Sequence, residues 1–278
     1  MNKVIDLYEE FGLSRRDIAL LPMDFKTRVG HFFSSKRKLA AGKLYCYDTD
    51  DLKIKKPAML IFPGGAYLFN SHTEWENIAK AFSARGFRTF VLNYSTKYFK
   101  FPTQLNEAAM AVAYIRRNSA ALGVTDRVAV CGFSAGGHLA ASLSLLYADE
   151  SVHSNLKVLG VPLRPDACVL AYPVISSDDA LRNEQSFHYL CGEDVALRSA
   201  LSLEKRVHKD APPTFLWHTE EDATVPCGNS VVYAERLKEV GVPVKLRLYK
   251  KGKHGLNLAQ GYEAEKWVDE ATEFLILN

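Results

Sequence analysis

The chain has 278 residues and a mass of 31.1 kDa, which is long enough for one large domain or two ordinary ones. Hydrophobic residues make up 47% of it and charged residues 24%, a balance that is typical of globular proteins and excludes disorder throughout. The 35 Lys and Arg residues against 32 Asp and Glu leave a net charge of +3. So small a charge gives no electrostatic reason to expect nucleic acid or a membrane surface as a partner.

The cysteines and the N-terminus indicate a cytoplasmic location. The 5 cysteines are scattered without a C-x-x-C pair, which is typical of free thiols in a reducing compartment and not of disulfides or a zinc site. Asp6 and Glu9 place charge among the first residues, so no secretory signal is predicted. All apolar runs are shorter than the roughly 18 residues of a membrane-spanning helix.

The hydrophobic pattern is irregular up to about residue 56 and regular from there onward. Within the irregular segment, residues 45–47 (Tyr-Cys-Tyr) predict an added strand at the edge of a sheet. Further strands are predicted at residues 58–62, 87–94, 127–131, 167–172, 214–218 and 244–249. Because most of these runs are apolar without alternation, we expect a sheet that is buried on both faces.

Between the predicted strands, apolar residues recur with helical spacing. Trp75, Ile78, Ala79 and Phe82 stand at i, i+3, i+4 and i+7, and Gly86 ends the pattern. Similar patterns predict helices near residues 105–115, 134–147, 230–240 and 264–277.

Strands that alternate with helices at this spacing predict an α/β fold with a doubly wound, mainly parallel sheet. No internal repeat or linker interrupts the pattern, so residues 1–278 are expected to form a single domain. The longest stretch between strands, residues 174–213, is expected to form a small, cap-like helical excursion over the C-terminal edge of the sheet.

Residues 132–136 read Gly-Phe-Ser-Ala-Gly, a G-x-S-x-G pentapeptide between a predicted strand and a predicted helix. Out of context this pattern also describes a glycine-softened turn with an ordinary N-cap serine. A turn this tight needs small residues beside the serine, and it projects the hydroxyl above the sheet at a helix N-terminus, where negative charge is favoured. Ser134 is therefore the candidate nucleophile.

A serine nucleophile needs a base and an acid, and the chain offers both in loops after later strands. His254 follows the last predicted strand, and glycines on both sides suit a loop that presents a side chain over the sheet. Asp222 lies in the loop after the strand at 214–218. The chain order Ser134, Asp222, His254 is the one expected for a Ser-His-Asp triad on this kind of sheet.

Four other acidic residues compete with Asp222 for the acid position. Glu220 and Glu221 precede it in the same loop but lie nearer to the strand. Asp178 and Asp179 follow an earlier strand, a position that some hydrolases use for the acid. Asp222 is preferred because its place in the loop and in the chain order both fit the triad.

A Gly-rich loop predicts the donors that would hold an oxyanion. Residues 63–67 read Pro-Gly-Gly-Ala-Tyr and follow the strand at 58–62, where backbone N–H groups would lie beside the serine. The N–H of Ala135, the residue after the nucleophile, is expected to be one donor, and that of Gly65 or Ala66 the second. A plain Pro-Gly turn is the alternative interpretation.

The sequence gives weaker grounds for assigning a functional role to the other side chains near these motifs. Tyr67 and Trp75 flank the Gly-rich loop and are candidates for lining the acyl or sugar pocket, although core packing accounts for them equally well. His138 lies four residues after Ser134 on the same helix face and is expected to pack or hydrogen-bond locally. His218 lies within a predicted strand and is expected to be structural.

As a set, these motifs resemble the acetyl-esterase and carbohydrate-esterase (xylan esterase) branch of the α/β-hydrolases. The resemblance covers roughly residues 40 to 278 and implies an α/β-hydrolase fold with Ser134, Asp222 and His254 as the triad. The segments that carry it are 64–65, 132–140, 218–226 and 251–256. Two departures stand out. Residues 62–65 (Phe-Pro-Gly-Gly) replace the His-Gly-Gly-Gly of the hormone-sensitive-lipase branch, and Ala66 replaces a common third glycine.

The resemblance implies a serine carboxylesterase that acts on short acyl esters, acetyl esters above all, of sugars or xylo-oligosaccharides, with neither a metal nor an organic cofactor. An aryl-formamidase or other small-amide hydrolase is the alternative, because such enzymes share a similar loop and Ser-Ala-Gly-Gly-His-Leu run. A non-catalytic ligand-binding protein is a third reading, which the complete triad disfavours. The expected partner is a small-molecule ester, and a homo-oligomer stays open.

Overall fold

The computed structural model describes residues 3–13, 42–47, 51–149 and 160–278. Within these ranges a single sheet of 8 strands has helices packed on both faces, which confirms the predicted α/β fold. The strands are β1 (Lys3–Asp6), β2 (Lys43–Tyr47), β3 (Lys56–Phe62), β4 (Arg88–Asn93), β5 (Val124–Phe133), β6 (Ala167–Ala171), β7 (Thr214–Thr219) and β8 (Val244–Tyr249).

The helices of the described residues alternate with the strands from β3 onward. They are α1 (Leu7–Glu10), α2 (Glu76–Ser83), α3 (Thr103–Arg117), α4 (Ser119–Leu122), α5 (Ala135–Leu146), α6 (Glu184–Cys191), α7 (Val195–Ala200), α8 (Gly228–Glu239) and α9 (Trp267–Leu277). Short 3₁₀ segments lie at His72–Glu74, Leu203–Arg206 and Glu263–Lys266.

The strand order in the sheet is β1-β2-β4-β3-β5-β6-β7-β8. Strands β3 to β8 are parallel, and β1 and β2 pair antiparallel at one side. Because parallel strands end at the same edge of a sheet, the loops that follow β3, β5, β7 and β8 meet at that edge. The predicted site residues lie in these loops.

The strand predicted at residues 45–47 is present as β2, but it lies one place in from the edge of the sheet. The edge is formed by β1, which pairs with β2 from Lys3 opposite Cys46 to Asp6 opposite Lys43. Only Val4 and Ile5 are apolar in β1, which is too short a run to predict a strand. Residues 1–2, 14–41 and 48–50 of the irregular N-terminal segment lie outside the described residues.

The predicted helical excursion after β6 contains α6, α7 and the 3₁₀ segment Leu203–Arg206. Phe101 N–H, in the loop after β4, donates to the carbonyl of Leu190 in α6 at 3.0 Å, and Leu203 N–H donates to that of Ile175, at the start of the excursion, at 3.1 Å. Phe101 and Ile175 follow β4 and β6, so the excursion lies at the C-terminal edge of the sheet, as the sequence predicts.

The core consists of two apolar layers, one on each face of the sheet. Side chains of α3, α5 and α8 pack on one face, and those of α2 and α9 pack on the other. In β3, Leu60 belongs to the first layer, while Met59 and Ile61 belong to the second, because neighbouring side chains of a strand point to opposite faces. This double burial explains why the strand is apolar at consecutive positions.

All 5 cysteines are free, as their spacing predicts. A reducing compartment stays a prediction. Among the described residues, every helix is too short or too polar to cross a lipid bilayer.

Candidate active site

Ser134 occupies the turn that joins β5 to α5. Its backbone has φ 52° and ψ −118°, a left-handed conformation that residues with a side chain rarely adopt. Hydrogen bonds fix this turn from both sides: Ser134 N–H donates to the carbonyl of Ala171 at 3.0 Å, and Val174 N–H donates to that of Ser134 at 3.1 Å. The neighbouring segment after β6 therefore holds the strained serine in place.

The small residues of the pentapeptide are required by close packing around the turn. A Cβ on Gly132 would lie 2.8 Å from the methyl of Ala140 and nearer still to the Gly136 backbone. A Cβ on Gly136 would meet the carbonyl oxygens of Phe62 and Pro63 at the end of β3. Glycine at both positions lets α5 begin directly after β5 and lie against the Gly-rich loop.

Ser134, His254 and Asp222 form one hydrogen-bonded chain. The hydroxyl of Ser134 lies 2.8 Å from Nε2 of His254, and Nδ1 of His254 lies 2.6 Å from Oδ2 of Asp222. Because the carboxylate accepts at Nδ1, that nitrogen carries the proton and Nε2 is left to accept from the serine. The structure thus brings together the three residues that the sequence predicts, in the arrangement that a Ser-His-Asp triad requires.

The carboxylate of Asp222 is buried, with 5% of the residue exposed. Its Oδ1 accepts the N–H groups of Thr224 and Val225, each at 2.9 Å, and Nε2 of His218 lies 3.3 Å from Oδ2. Burial acts to raise the pKa of Asp222, but hydrogen bonds from His218, His254 and the Val225 N–H outweigh it and hold the pKa well below its usual value. Asp222 is therefore an anion at neutral pH.

His218 is held in a single orientation beside Asp222. It lies fully buried in β7, where its Nδ1 accepts the hydroxyl proton of Ser230 at 2.8 Å. Its single Nε2–H is shared between the carbonyl of Val225 at 2.9 Å and Oδ2 of Asp222 at 3.3 Å. The structural role predicted for this histidine therefore includes support of the acid, a contact that its position in a strand did not reveal.

The competing acidic residues are engaged elsewhere. Asp178 pairs with Lys205 and Asp179 with Arg182, each at 2.5 Å. Glu221 accepts the N–H of Gly252 at 3.1 Å, and Glu220 is exposed to solvent. Among the described residues, the carboxylate that accepts from the His254 ring belongs to Asp222.

The Gly-rich loop folds back on itself beside the serine. Leu68 N–H donates to the carbonyl of Gly65, and Ser71 N–H donates to that of Gly64, each at 2.9 Å. A Cβ on Gly64 would lie 3.1 Å from the Cβ of Ser134, so the loop packs directly on the nucleophile. In the described part of the chain, no protein acceptor takes the N–H of Gly65 or Ala66.

A third candidate N–H group lies at the start of α5. Ala135 is the first residue of that helix, and the first N–H groups of a helix have no acceptor within it. The predicted donors Gly65, Ala66 and Ala135 thus flank Ser134 from the Gly-rich loop and from the helix. Their role toward an oxyanion stays a prediction.

The BD-FAE family model matches residues 44–237 of the chain. The chain belongs to the BD-FAE family. A solved structure with the same architecture is that of an acetyl ester-xyloside bifunctional hydrolase from Caldicellulosiruptor lactoaceticus, with 33% sequence identity and a TM-score of 0.83. The alignment covers 99% of this chain and 95% of that one, which confirms the α/β-hydrolase fold of this BD-FAE protein.

Two curated relatives of this BD-FAE protein have names that mention xylan chemistry. The endo-1,4-beta-xylanase B of Butyrivibrio fibrisolvens is 33% identical over 81% of this chain, and the acetylxylan esterase of Xylanibacter ruminicola is 25% identical over 74% of it. The matches cover 36% and 42% of those longer proteins. The resemblance to carbohydrate esterases that the motifs predicted is confirmed.

The two candidate pocket residues of the BD-FAE chain are buried. Tyr67 is 1% exposed, and its hydroxyl donates to Nδ1 of His138 at 3.0 Å. Trp75 packs against the rings of Tyr45 and His72, with centroid distances of 4.9 and 4.5 Å. Their role toward a substrate stays a prediction. Phe69 in the same loop is 55% exposed and presents an aromatic surface that the sequence analysis missed.

His138 packs and hydrogen-bonds locally, as its position predicts. Its Nε2–H donates to the carbonyl of Leu201 at 3.0 Å, while Nδ1 accepts from Tyr67. This pattern needs the neutral imidazole, and burial lowers the pKa of His138 to about 4.

His138 is expected to make the fold of the BD-FAE chain sensitive to acid. Because its pKa is lower in the folded state than the usual 6.5, the unfolded chain binds a proton first as the pH falls. The contribution of the neutral His138 to the free energy of unfolding is complete above pH 6.5 and is lost as the pH falls toward 4. The loss is up to about 3 kcal/mol. Urea unfolding of wild type and His138→Gln at pH 7 and pH 5 measures it. Equal pH dependence in the two proteins would contradict the assignment.

Proposed function

We propose that this protein is a serine carboxylesterase that hydrolyses short acyl esters, acetyl esters above all, of a sugar or xylo-oligosaccharide. The observation that carries the proposal is the hydrogen-bonded chain Ser134–His254–Asp222, with distances of 2.8 and 2.6 Å, at the edge where the parallel strands end. The names of the relatives, an acetylxylan esterase and an acetyl ester-xyloside hydrolase, support the acetyl group and the sugar.

In the first half of the reaction, Oγ of Ser134 attacks the ester carbonyl carbon while Nε2 of His254 accepts the hydroxyl proton. The carbonyl oxygen becomes an oxyanion, which the N–H groups of Gly65 or Ala66 and of Ala135 stabilise. Asp222 holds the imidazole in its reactive tautomer and stabilises the imidazolium. When the tetrahedral intermediate collapses, the carbon–oxygen bond to the alcohol breaks and His254 gives its proton to the departing oxygen.

In the second half, a water molecule attacks the acyl-serine. His254 accepts a proton from the water, and the same N–H groups hold the second oxyanion. Collapse breaks the bond to Ser134 Oγ, which takes the proton back, and the carboxylic acid leaves. Every step uses protein groups and water alone.

The proposal is tested with the purified protein on p-nitrophenyl acetate, acetylated xylo-oligosaccharides and N-formylkynurenine. We expect turnover of the acetate esters and release of acetate from the sugar. A strong preference for the formamide would instead identify an aryl-formamidase. Absence of turnover on all substrates, together with no labelling by a fluorophosphonate, would identify a ligand-binding protein.

Acetate esters are expected to be hydrolysed faster than octanoate esters. The backbone of the Gly-rich loop is closed by its own hydrogen bonds, and we expect the methyl of Ala66 in this loop to crowd the acyl group. Each added methylene must find apolar burial worth about 0.8 kcal/mol or meet a steric wall. The measurement is kcat/KM along a series of p-nitrophenyl esters from C2 to C10. A profile that rises steadily to C8 or C10 would contradict it.

A further inference from the structure

Glu74 is a buried carboxylate that the proposed reaction does not use. It ends the 3₁₀ segment His72–Glu74 and is 4% exposed. Moving a carboxylate out of water is costly unless hydrogen bonds compensate for the lost solvent. An apolar side chain could occupy this buried position without that desolvation cost, so the contacts of the Glu74 carboxylate must explain its presence.

Each oxygen of the Glu74 carboxylate accepts one hydrogen bond from a loop of the candidate site. Oε2 accepts the N–H of Gly64 at 2.6 Å, and Oε1 accepts the hydroxyl proton of Tyr172 at 2.8 Å. Gly64 directly precedes the predicted donors of the Gly-rich loop. A Cβ on Gly64 would lie 3.0 Å from Oε2 of Glu74 and 3.1 Å from Cβ of Ser134, so the carboxylate and the nucleophile flank the same residue.

Tyr172 extends this connection to the loop that carries His254. Its ring lies against the imidazole with a centroid distance of 5.0 Å and an interplanar angle of 69°. Its hydroxyl oxygen accepts the N–H of Asn257 at 3.1 Å, three residues after His254. The Tyr172 hydroxyl thus accepts a hydrogen bond from the loop that carries His254 and donates one to Glu74.

We propose that Glu74 is a positioning residue that sets the Gly-rich loop and, through Tyr172, the His254 loop at their distances from Ser134. This inference rests on the proposed function, because it concerns the same reaction. One carboxylate fastens two segments that reach the site from different strands, β3 and β8. Loss of its hydrogen bonds would displace the oxyanion donors and the base together.

The chemistry of the contacts explains why a carboxylate occupies this place. Both of its oxygens accept hydrogen bonds, whereas the amide of glutamine offers one acceptor and a leucine offers none. Burial raises the pKa of Glu74, and the hydrogen bonds from Gly64 and Tyr172 together with the charge of His254 act in the opposite direction.

The test compares kcat and KM on p-nitrophenyl acetate for wild type, Glu74→Gln, Glu74→Leu and Tyr172→Phe. We expect Glu74→Leu to lower kcat about 100-fold with KM within about twofold, because the oxyanion donors lose their positioning. Glutamine keeps an acceptor for the Gly64 N–H, so Glu74→Gln is expected to lower kcat by only about tenfold. Tyr172→Phe removes the link to the His254 loop and is expected to cost about tenfold.

Glu107 offers a matched control for a purely structural role. This fully buried carboxylate on α3 also accepts a backbone N–H, from Ser95 at 2.6 Å, and a tyrosine hydroxyl, from Tyr8 at 2.7 Å. We expect Glu107→Gln and Glu107→Leu to lower the Tm while the folded protein keeps kcat within about threefold of wild type. The partners Tyr8 and Ser95 lie in α1 and just after β4, outside the Gly-rich loop and the loop that carries His254.

The graded loss at Glu74 against an unchanged kcat at Glu107 supports the inference. Folded Glu74 variants with kcat within about threefold of wild type would overturn it, and so would equal losses at the two carboxylates. If circular dichroism shows that Glu74→Leu does not fold, the kcat values of Glu74→Gln and Tyr172→Phe test the inference. Values within about threefold of wild type would again overturn it. Turnover that depends on Ser134 but not on Glu74 overturns this inference alone. Absence of turnover in wild type overturns the proposed function and this inference with it.

Discussion

Ser134→Ala is expected to fold as the wild type does and to lose ester turnover by about 10³-fold or more. Alanine keeps the Cβ that packs against Gly64, and the left-handed backbone of the turn is held by Ala171 and Val174 rather than by the hydroxyl. The substitution therefore removes the atom that forms the acyl bond and little else. The measurement is kcat/KM on p-nitrophenyl acetate, with the Tm and fluorophosphonate labelling recorded on the same samples.

Ser144→Ala provides the matched control for this experiment. Ser144 is fully buried on α5, the helix that follows Ser134, and its hydroxyl donates to the carbonyl of Ala140 at 2.8 Å. We expect turnover within about twofold of wild type, because the removed hydrogen bond contributes to stability by only about 1 kcal/mol. If Ser134→Ala keeps more than about a tenth of wild-type turnover, Ser134 is not the nucleophile.

The sequence predicted the parallel strands because their apolar runs are buried on both faces. Leu60 and Ile61 are consecutive in β3, yet they belong to opposite layers of the core, and a run of this kind remains recognisable without any alignment. Strand β1 was not predicted because it has no such buried apolar run. It is short and lies at the edge, and Val4 within it is exposed, so no apolar pattern marks it.

The proximity of the three candidate triad residues could be predicted because strand ends determine where loops meet. Ser134, Asp222 and His254 each follow a parallel strand, and topology brings the carboxyl ends of such strands to one edge. The glycines around Ser134 added a local reason, since only small residues fit that turn.

The supporting contacts of the site could not be predicted in the same way. Glu74 precedes an amphipathic helix in a polar run, where an acidic residue usually faces solvent. Its partner Tyr172 lies 98 residues away in the chain, and no spacing rule joins them. The contact of His218 with Asp222 depends on the direction in which a strand side chain points. The contact of Tyr67 with His138 could not be predicted for the same reason, because the sequence does not determine the direction in which a side chain of the Gly-rich loop points.

Asp222→Asn is expected to lower kcat by up to about 10⁴-fold while the protein stays folded. Oδ1 of the side chain accepts the N–H groups of Thr224 and Val225. The amide oxygen of asparagine must take that place, which turns the NH₂ group toward His254. The imidazole then accepts at Nδ1 and carries its proton on Nε2, so it is unable to accept the proton of Ser134.

Two other acidic residues near the sheet edge provide controls for Asp222→Asn. Asp178 pairs with Lys205 at the surface, and Asp178→Asn is expected to leave kcat within about twofold of wild type, because exposed ion pairs contribute little. Glu221 accepts the N–H of Gly252 in the loop that carries His254, so Glu221→Gln tests the nearest competing acid.

The measurement is kcat on p-nitrophenyl acetate for the three variants, with the Tm as a check on folding. If Asp222→Asn has almost no effect while Asp178→Asn or Glu221→Gln abolishes turnover, the acid of the triad is another residue. The hydrogen bond of 2.6 Å between His254 and Asp222 would then serve the fold rather than the reaction.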